Sequence, residues 1–123
     1  MAQEKIPQMD FSGTFAADLP DHPGLTVWRI ERLKPALLNF ARGHGRFCEG
    51  DAYLVLMSYR NEDSGVLEHQ IYTWVGVSAE LDKRFCAAMY SVGLRNLVGA
   101  VGRVEHEVGI TTFAFLKHFY LRL

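Results

Sequence analysis

The feature that most constrains this chain is an unbroken apolar run at residues 52–57, which directly follows the turn-forming pair Gly50 and Asp51. A strand with one solvated face alternates apolar and polar side chains, whereas a strand covered on both faces is apolar throughout. The run therefore predicts the central strand of a sheet with a further layer of structure on each face. Asp51 is an acidic residue at the point where the chain enters this strand.

Other segments supply neighbours for the central strand. Strands are predicted at residues 25–33, 46–49, 66–76 and 103–108. The first alternates and should have one buried face, the third should form a hairpin with the central strand, and the last suits an edge. A short final helix is predicted to begin at Thr111 and to carry Phe115, Leu116 and Phe119. Together these elements predict an α+β fold in which helices cover both faces of a mixed sheet.

A long helix is predicted for residues 78–98, with Ser78 as its N-cap, Glu80 and Asp82 in its first turn, and Gly99 at its end. Its apolar side chains form two stripes separated by roughly 200° at about 100° per residue. The sheet-facing stripe consists of Ala87, Ser91, Leu94 and Val98, and the outer stripe consists of Phe85, Met89 and Val92. Few residues of so small a domain remain to cover the outer stripe. We therefore expect it to contact a partner, and the alternative is that the N-terminal residues cover it.

Composition restricts the class of protein. The chain has 123 residues, 49% hydrophobic and 22% charged, as expected for one soluble globular domain. The polar residues 1–22 are predicted to form an extended arm before a domain at 23–123. No apolar run approaches the roughly 18 residues of a membrane-spanning helix, and the start of the chain is unlike a signal peptide. Cys48 and Cys86 lie among apolar neighbours and are expected to be buried, reduced thiols in a cytoplasmic protein.

Two further classes are disfavoured. Neither cysteine adjoins a glycine turn of the type that forms an oxyanion hole, and the histidines lack the spacing of metal ligands, so we do not expect an enzyme. Residues 1–82 carry 7 basic and 12 acidic side chains, whereas residues 83–123 carry 6 and 2. This asymmetry favours an acidic partner for the C-terminal third, although chance scatter explains it equally well. The basic residues are neither dense nor interleaved with aromatic ones, so nucleic acid is not expected as a partner.

An ordered set of motifs extends from about residue 22 to residue 120. It comprises residues 23–31, Lys34-Pro35, 45–47, 50–56, 71–76, 87–89, Glu107-Val108, and Phe115-Leu116 with Phe119. In this order and spacing the motifs resemble a gelsolin/villin-family domain, most closely the first, actin-monomer-binding repeat. The resemblance implies a gelsolin-like, ADF-homology-like fold, with a five-stranded mixed β-sheet sandwiched between one long and one short α-helix.

The resemblance also implies a function. In this family the long helix binds actin by inserting into the hydrophobic cleft between two actin subdomains. The matching positions are Phe85, Met89 and Val92, with Arg95 or Asn96 at the end of the helix. A cytoskeletal domain of this kind is expected to sequester monomers or cap barbed ends, and to sever filaments only within a multi-repeat protein. The alternative is a module of the same fold that docks a protein other than actin. Binding of phosphoinositides stays open.

Calcium is the cofactor implied by the resemblance, because the family holds it with the carbonyl and carboxylate of a Gly-Asp turn and a glutamate on the long helix. Gly50 and Asp51 match the turn, but Lys83 stands where the glutamate is expected. Calcium requires oxygen ligands. We therefore expect calcium dependence to be weakened or absent, with the Lys83 ammonium paired to Asp51 in place of the ion. The alternative is a weak calcium site completed by Glu80 or Asp82.

A second ion is shared with actin in this family and is held by an acidic residue near the end of the long helix. Arg95 stands at that position, which leaves Glu107 as the one matching carboxylate. A single carboxylate is too few for a tight site, so we expect Arg95 to face the acidic surface of actin directly.

Overall fold

A computed structural model describes residues 11–38, 47–100 and 104–109 of the chain. Within these residues the fold is α+β, with one five-stranded mixed sheet, one long helix and one short helix. The elements are α1 (Phe11–Phe15), β1 (Gly24–Glu31), β2 (Lys34–Leu37), β3 (Ala52–Arg60), β4 (Leu67–Gly76), α2 (Leu81–Val98) and β5 (Glu105–Gly109). The predicted fold class is confirmed. The predicted final helix from Thr111 lies outside the described residues.

The strand order across the sheet is β2-β1-β3-β4-β5, with β3 at its centre. β3 pairs antiparallel with β1 and with β4, whereas β5 runs parallel to β4. A parallel neighbour requires a crossover connection, and α2 supplies most of it. Every residue of the run 52–57 is at most 5% exposed. The predicted central strand is therefore confirmed.

Side chains at alternate positions of the strands belong to two separate hydrophobic clusters, one on each face of the sheet. The cluster under α2 contains Phe15, Trp28, Ile30, Ala52, Leu54, Leu56, Ile71, Cys86, Ala87, Tyr90 and Leu94. The cluster on the opposite face contains Val27, Leu38, Phe47, Tyr53, Val55, Met57, Tyr72 and Trp74. Val27 and Trp28 are adjacent in the chain and both fully buried, so the expectation of one buried face for β1 is wrong.

The prediction of a short strand at 46–49 is wrong, because residues 47–50 are not in a strand. The fifth strand of the sheet is instead β2, which the sequence does not predict and which pairs antiparallel with β1. Arg32 and Leu33 adopt positive φ angles of 50° and 63°, which fold the chain directly back on itself. Such angles are uncommon for residues other than glycine, asparagine and aspartate. Pro35 lacks a backbone N–H and is tolerated at a sheet edge.

The long helix ends where the sequence predicts but begins later. Gly99 adopts a left-handed φ of 64° and donates its N–H to the carbonyl of Arg95, as a helix C-cap does. The expectation of an N-cap at Ser78 is wrong, since the helix begins at Leu81 and the Ser78 N–H donates to the Glu49 carbonyl at 2.8 Å. None of the helices in the described residues is long and apolar enough to cross a lipid bilayer.

The residues before β1 are not uniformly extended, contrary to the expectation for residues 1–22. α1 is followed by a 3₁₀ turn at Ala16–Asp18. Phe15 is fully buried and packs edge-on against Trp28, with ring centroids 5.1 Å apart. The Trp28 Nε1–H donates to the Asp18 carboxylate at 3.3 Å. Burial of an aromatic side chain thus holds this segment against the sheet and α2.

Candidate functional site

The turn at residues 48–51 is clamped to the end of β4. Within the turn, the Asp51 N–H donates to the Cys48 carbonyl at 3.0 Å. The Gly76 N–H donates to the Asp51 carbonyl, and the Ser78 N–H donates to the Glu49 carbonyl, both at 2.8 Å. A Cβ at Gly76 would lie 2.0 Å from the Glu49 carbonyl oxygen, so this approach requires glycine. These contacts determine where the chain leaves the sheet to begin α2.

Lys83 joins α2 to the same turn. Its Nζ donates to the Asp51 Oδ1 at 2.7 Å and to the Gly50 carbonyl at 3.3 Å. The Lys83 and Asp51 side chains are 31% and 24% exposed, so the pair is largely shielded from solvent. The predicted pairing of Lys83 with Asp51 is present. The ammonium lies in contact with the Gly50 carbonyl and the Asp51 carboxylate, the two groups that match the Gly-Asp turn of the family.

The donor set at this turn does not fit calcium. Calcium takes about six to eight oxygen ligands and would repel an ammonium in contact with two of them. In the part of the chain that the structure describes, no group of three or more His, Cys, Asp or Glu side chains could hold a metal ion. Glu80 and Asp82, considered above as substitute ligands, are exposed.

The two stripes of α2 have different surroundings. Ala87, Ser91 and Leu94 of the sheet-facing stripe are fully buried. In the outer stripe, Phe85 is 61% exposed and Val92 is 51% exposed. Met89, the third member of the outer stripe, is half-buried. The helix is thus anchored through one side while its other side presents apolar side chains.

An apolar groove of about 730 Å³ surrounds the outer stripe. It is lined by Phe85, Ala88, Met89, Val92, Gly93, Asn96 and Leu97. Asn96 was a sequence-based candidate, whereas Ala88, Gly93 and Leu97 were not. Ala88 lies three residues after Phe85 and four before Val92, so helical spacing could have identified it. Leu97 lies five residues after Val92, so the same spacing rule does not identify it.

The remaining candidates lie apart from the groove. Arg95 is half-buried near the end of α2, and its carbonyl accepts hydrogen bonds from the backbone N–H groups of Gly99 and Ala100. Glu107 lies in β5 opposite Trp74 of β4, and its side chain is outside what the structure describes. A role for Glu107 in an ion shared with actin therefore stays a prediction.

The cysteines have different environments. Cys86 is buried as expected, and burial raises the pKa of its thiol, which keeps the thiol protonated and unreactive. The expectation that Cys48 is buried is wrong: it is exposed, in a turn whose backbone is held by its N–H donating to the Tyr53 hydroxyl at 2.7 Å. Burial raises the pKa of Tyr53 to about 12, so this hydroxyl is neutral and can accept that hydrogen bond.

The histidines on the α2 face of the sheet have structural partners. His69 Nδ1 lies 2.9 Å from the hydroxyl of the fully buried Ser58. His106 Nδ1 lies 2.5 Å from the hydroxyl of the fully buried Thr73. Burial lowers the pKa of His69, which favours its neutral form. These contacts satisfy buried hydroxyl groups and do not assemble a metal site.

Comparison with known proteins identifies relatives over almost the whole chain. The chain is 44% identical to the flightless-1 homolog of Homo sapiens over 114 residues, covering 92% of this chain and 9% of that protein. It is 35% identical to advillin of Mus musculus, over 80% of this chain and 12% of the relative. It is 35% identical to the macrophage-capping protein of Rattus norvegicus, over 93% of this chain and 30% of the relative. The chain thus spans a minor part of each relative. No protein-family model matches it.

Solved structures share the fold. A Thorarchaeota 2DGel3 protein in complex with rabbit actin superposes with a TM-score of 0.54 at 23% identity, over 77% of this chain and 42% of that chain. Mouse coactosin superposes with a TM-score of 0.52 at 9% identity, over 80% of this chain and 73% of the coactosin chain. These neighbours have ADF/cofilin-like folds, in agreement with the observed sheet. Sequence and fold agree, and the chain is a domain of the gelsolin/villin family.

Proposed function

We propose that this domain binds actin through the outer stripe of α2 and the groove around it. The observation that carries the proposal is the exposure of Phe85 and Val92 on a helix whose opposite side is buried in the core. Contiguous exposed apolar surface marks interaction sites in soluble domains. The names of the relatives and neighbours support actin as the partner: one is a capping protein, one was solved with rabbit actin, and coactosin is an actin filament binding protein.

The geometry suits recognition of a helix by an apolar cleft. Ala87, Ser91 and Leu94 hold α2 against the sheet, so the backbone that carries the outer stripe is held in place before binding and loses little conformational entropy. Phe85 has the largest side chain of the stripe and the greatest exposure, which suits an anchor in a desolvated pocket. The exposed Asn96 provides hydrogen-bonding groups at the far end of the groove.

We infer the mode of action from the outer stripe of α2. One such face can occupy the apolar cleft of a monomer or of the subunit at a barbed end, and both contacts oppose polymerisation. We therefore infer association with the cytoskeleton, with monomer sequestration or barbed-end capping as the activity. Severing would require a second, filament-binding repeat in a longer protein.

Pyrene-actin polymerisation with the purified domain tests this function. A sequestering domain lowers the final polymer in proportion to its concentration, whereas a capping domain slows elongation from filament seeds at substoichiometric amounts. Either result, together with a one-to-one complex with monomers in sedimentation velocity, supports the proposal. Unchanged polymerisation and no complex would contradict it and favour the alternative, docking of a protein other than actin.

We further infer that actin binding does not require calcium. The Lys83 ammonium contacts the Asp51 carboxylate and the Gly50 carbonyl, and so links α2 to the turn where an ion would otherwise do so. A partly exposed ion pair contributes at most about 1 kcal/mol. The pair would therefore help to orient α2 without contributing much stability. Affinity for actin is expected to be the same with calcium as with a chelator.

Replacing Lys83 by glutamate is expected to make the domain responsive to calcium. The variant would place a second carboxylate beside the Asp51 carboxylate and the Gly50 carbonyl. The two carboxylates repel each other when no cation is present, and together they attract a calcium ion when it is available. With a Kd near 0.1 mM, 1 mM calcium would add about 1.4 kcal/mol, or roughly 5 °C in Tm. Differential scanning fluorimetry measures the shift without any need for actin.

Lys83→Met is the matched control, because it removes the ammonium without adding a ligand. We expect no shift in Tm on addition of calcium to this variant or to the unaltered domain. Stabilisation of the unaltered domain by calcium, lost on Asp51→Ala, would show that the turn binds the ion despite Lys83.

A further inference from the structure

Leu81 is the most exposed of the large hydrophobic side chains in the described residues, at 79%. It is the first residue of α2 and precedes Phe85 by four positions. Side chains four residues apart lie one above the other on the same side of a helix. Leu81 therefore continues the outer stripe by one turn toward the helix N-terminus. It is not among the residues that line the groove.

The backbone that leads into Leu81 is held in place by hydrogen bonds. The Arg84 guanidinium donates from Nε to the Ala79 carbonyl at 2.9 Å and from Nη2 to the Val77 carbonyl at 3.0 Å. Ala79 is buried, and the Ser78 N–H is bound to the Glu49 carbonyl. The first turn of a helix often frays, but these contacts tie this one to the body of the domain. Leu81 is thus an exposed apolar side chain on an ordered backbone.

We propose that Leu81 is a further actin-binding residue, which extends the contact of the outer stripe beyond the groove to the first turn of α2. The proposal rests on the proposed function, because it assigns Leu81 to the same face and the same partner. Its physical basis is continuity with the groove through Phe85, together with a backbone that loses little freedom on binding. The partner surface opposite Leu81 is apolar, since it covers a leucine side chain that the domain itself leaves in water.

Leu81→Asp tests the proposal in the intact chain. An aspartate in the first turn favours the positive end of the helix dipole, so the variant should fold as well as the unaltered domain. Burial of its carboxylate against an apolar surface should weaken the affinity for monomeric actin by at least tenfold. Leu81→Met keeps an apolar side chain and should retain affinity within about threefold. Affinities are measured by fluorescence titration of labelled actin monomers.

Val66→Asp is the matched control, because Val66 is 58% exposed and precedes β4, at the opposite end of that strand from α2's first turn. It should leave affinity unchanged. Full affinity of Leu81→Asp, with loss of binding in Phe85→Asp, would overturn the inference and leave the proposed function intact. An equal loss in Val66→Asp would also overturn it, because the effect would then reflect added charge rather than position. Absence of actin binding by the unaltered domain would overturn both.

Discussion

Phe85→Asp is expected to lower the affinity for monomeric actin by about 100-fold or more, while the domain stays folded. Phe85 is 61% exposed, so its replacement removes few contacts within the domain. In the complex, the aromatic contact would be lost and an aspartate carboxylate would be desolvated without a partner. Together these effects amount to roughly 3 kcal/mol of binding free energy, which corresponds to the stated change.

Phe85 is a better position for this test than Met89. Met89 belongs to the same stripe, but it is half-buried, so an aspartate there would also destabilise the fold. For Phe85→Asp, urea unfolding should give the same midpoint as the unaltered domain. Polymerisation assays should then show no inhibition at concentrations where the unaltered domain inhibits fully. A folded variant that inhibits as well as the unaltered domain would exclude the outer stripe as the actin-binding surface.

Gly76→Ala is expected to destabilise the domain by about 3 kcal/mol or more. The new Cβ would lie 2.0 Å from the carbonyl oxygen of Glu49 and 2.3 Å from its carbonyl carbon, and neither backbone atom can move independently. Relief of the overlap requires the turn to move away from the end of β4. That movement would break the hydrogen bonds from Gly76 and Ser78 to the turn. Urea unfolding monitored by tryptophan fluorescence measures the loss.

Gly50→Ala is the control for this substitution, because Gly50 lies in the adjoining turn and a Cβ there would meet no heavy atom within 4 Å. We expect a change of no more than about 0.5 kcal/mol. If both alanine variants were destabilised equally, the cause would be the loss of glycine flexibility in this region rather than close packing of β4 against Glu49. Unchanged stability of Gly76→Ala would contradict the observed approach.

Much of the candidate site could be predicted from the chain because it lies on one helix. The spacing of Phe85, Met89 and Val92 predicts a single stripe, and the positions of Ala87 and Leu94 predict which side faces the sheet. The pairing of Lys83 with Asp51 could be predicted only with a resemblance, because 32 residues separate the partners. The size of the groove and the strong exposure of Leu81 depend on what surrounds the helix, which spacing does not specify.

The elements that the sequence misplaces all depend on contacts between segments. β2 was missed because Arg32 and Leu33 form a left-handed turn without the glycine or asparagine that usually indicates one. The predicted start of α2 is wrong because the Ser78 N–H donates to the Glu49 carbonyl, and this residue does not cap the helix. The buried position of Phe15 was missed because isolated aromatic residues in a polar segment have no periodic pattern.

The sequence by itself determined the central strand, its hairpin with β4, the end of α2 at Gly99 and the two-sided character of that helix. Each of these depends on side chains close together in the chain, whose periodicity and turn chemistry are local. The tertiary structure alone decided that the turn at residues 48–51 is clamped to β4, and that α2 begins at Leu81 with an exposed leucine on an ordered backbone. Those features depend on hydrogen bonds and close packing between distant residues, and such contacts leave no periodic signal in the sequence.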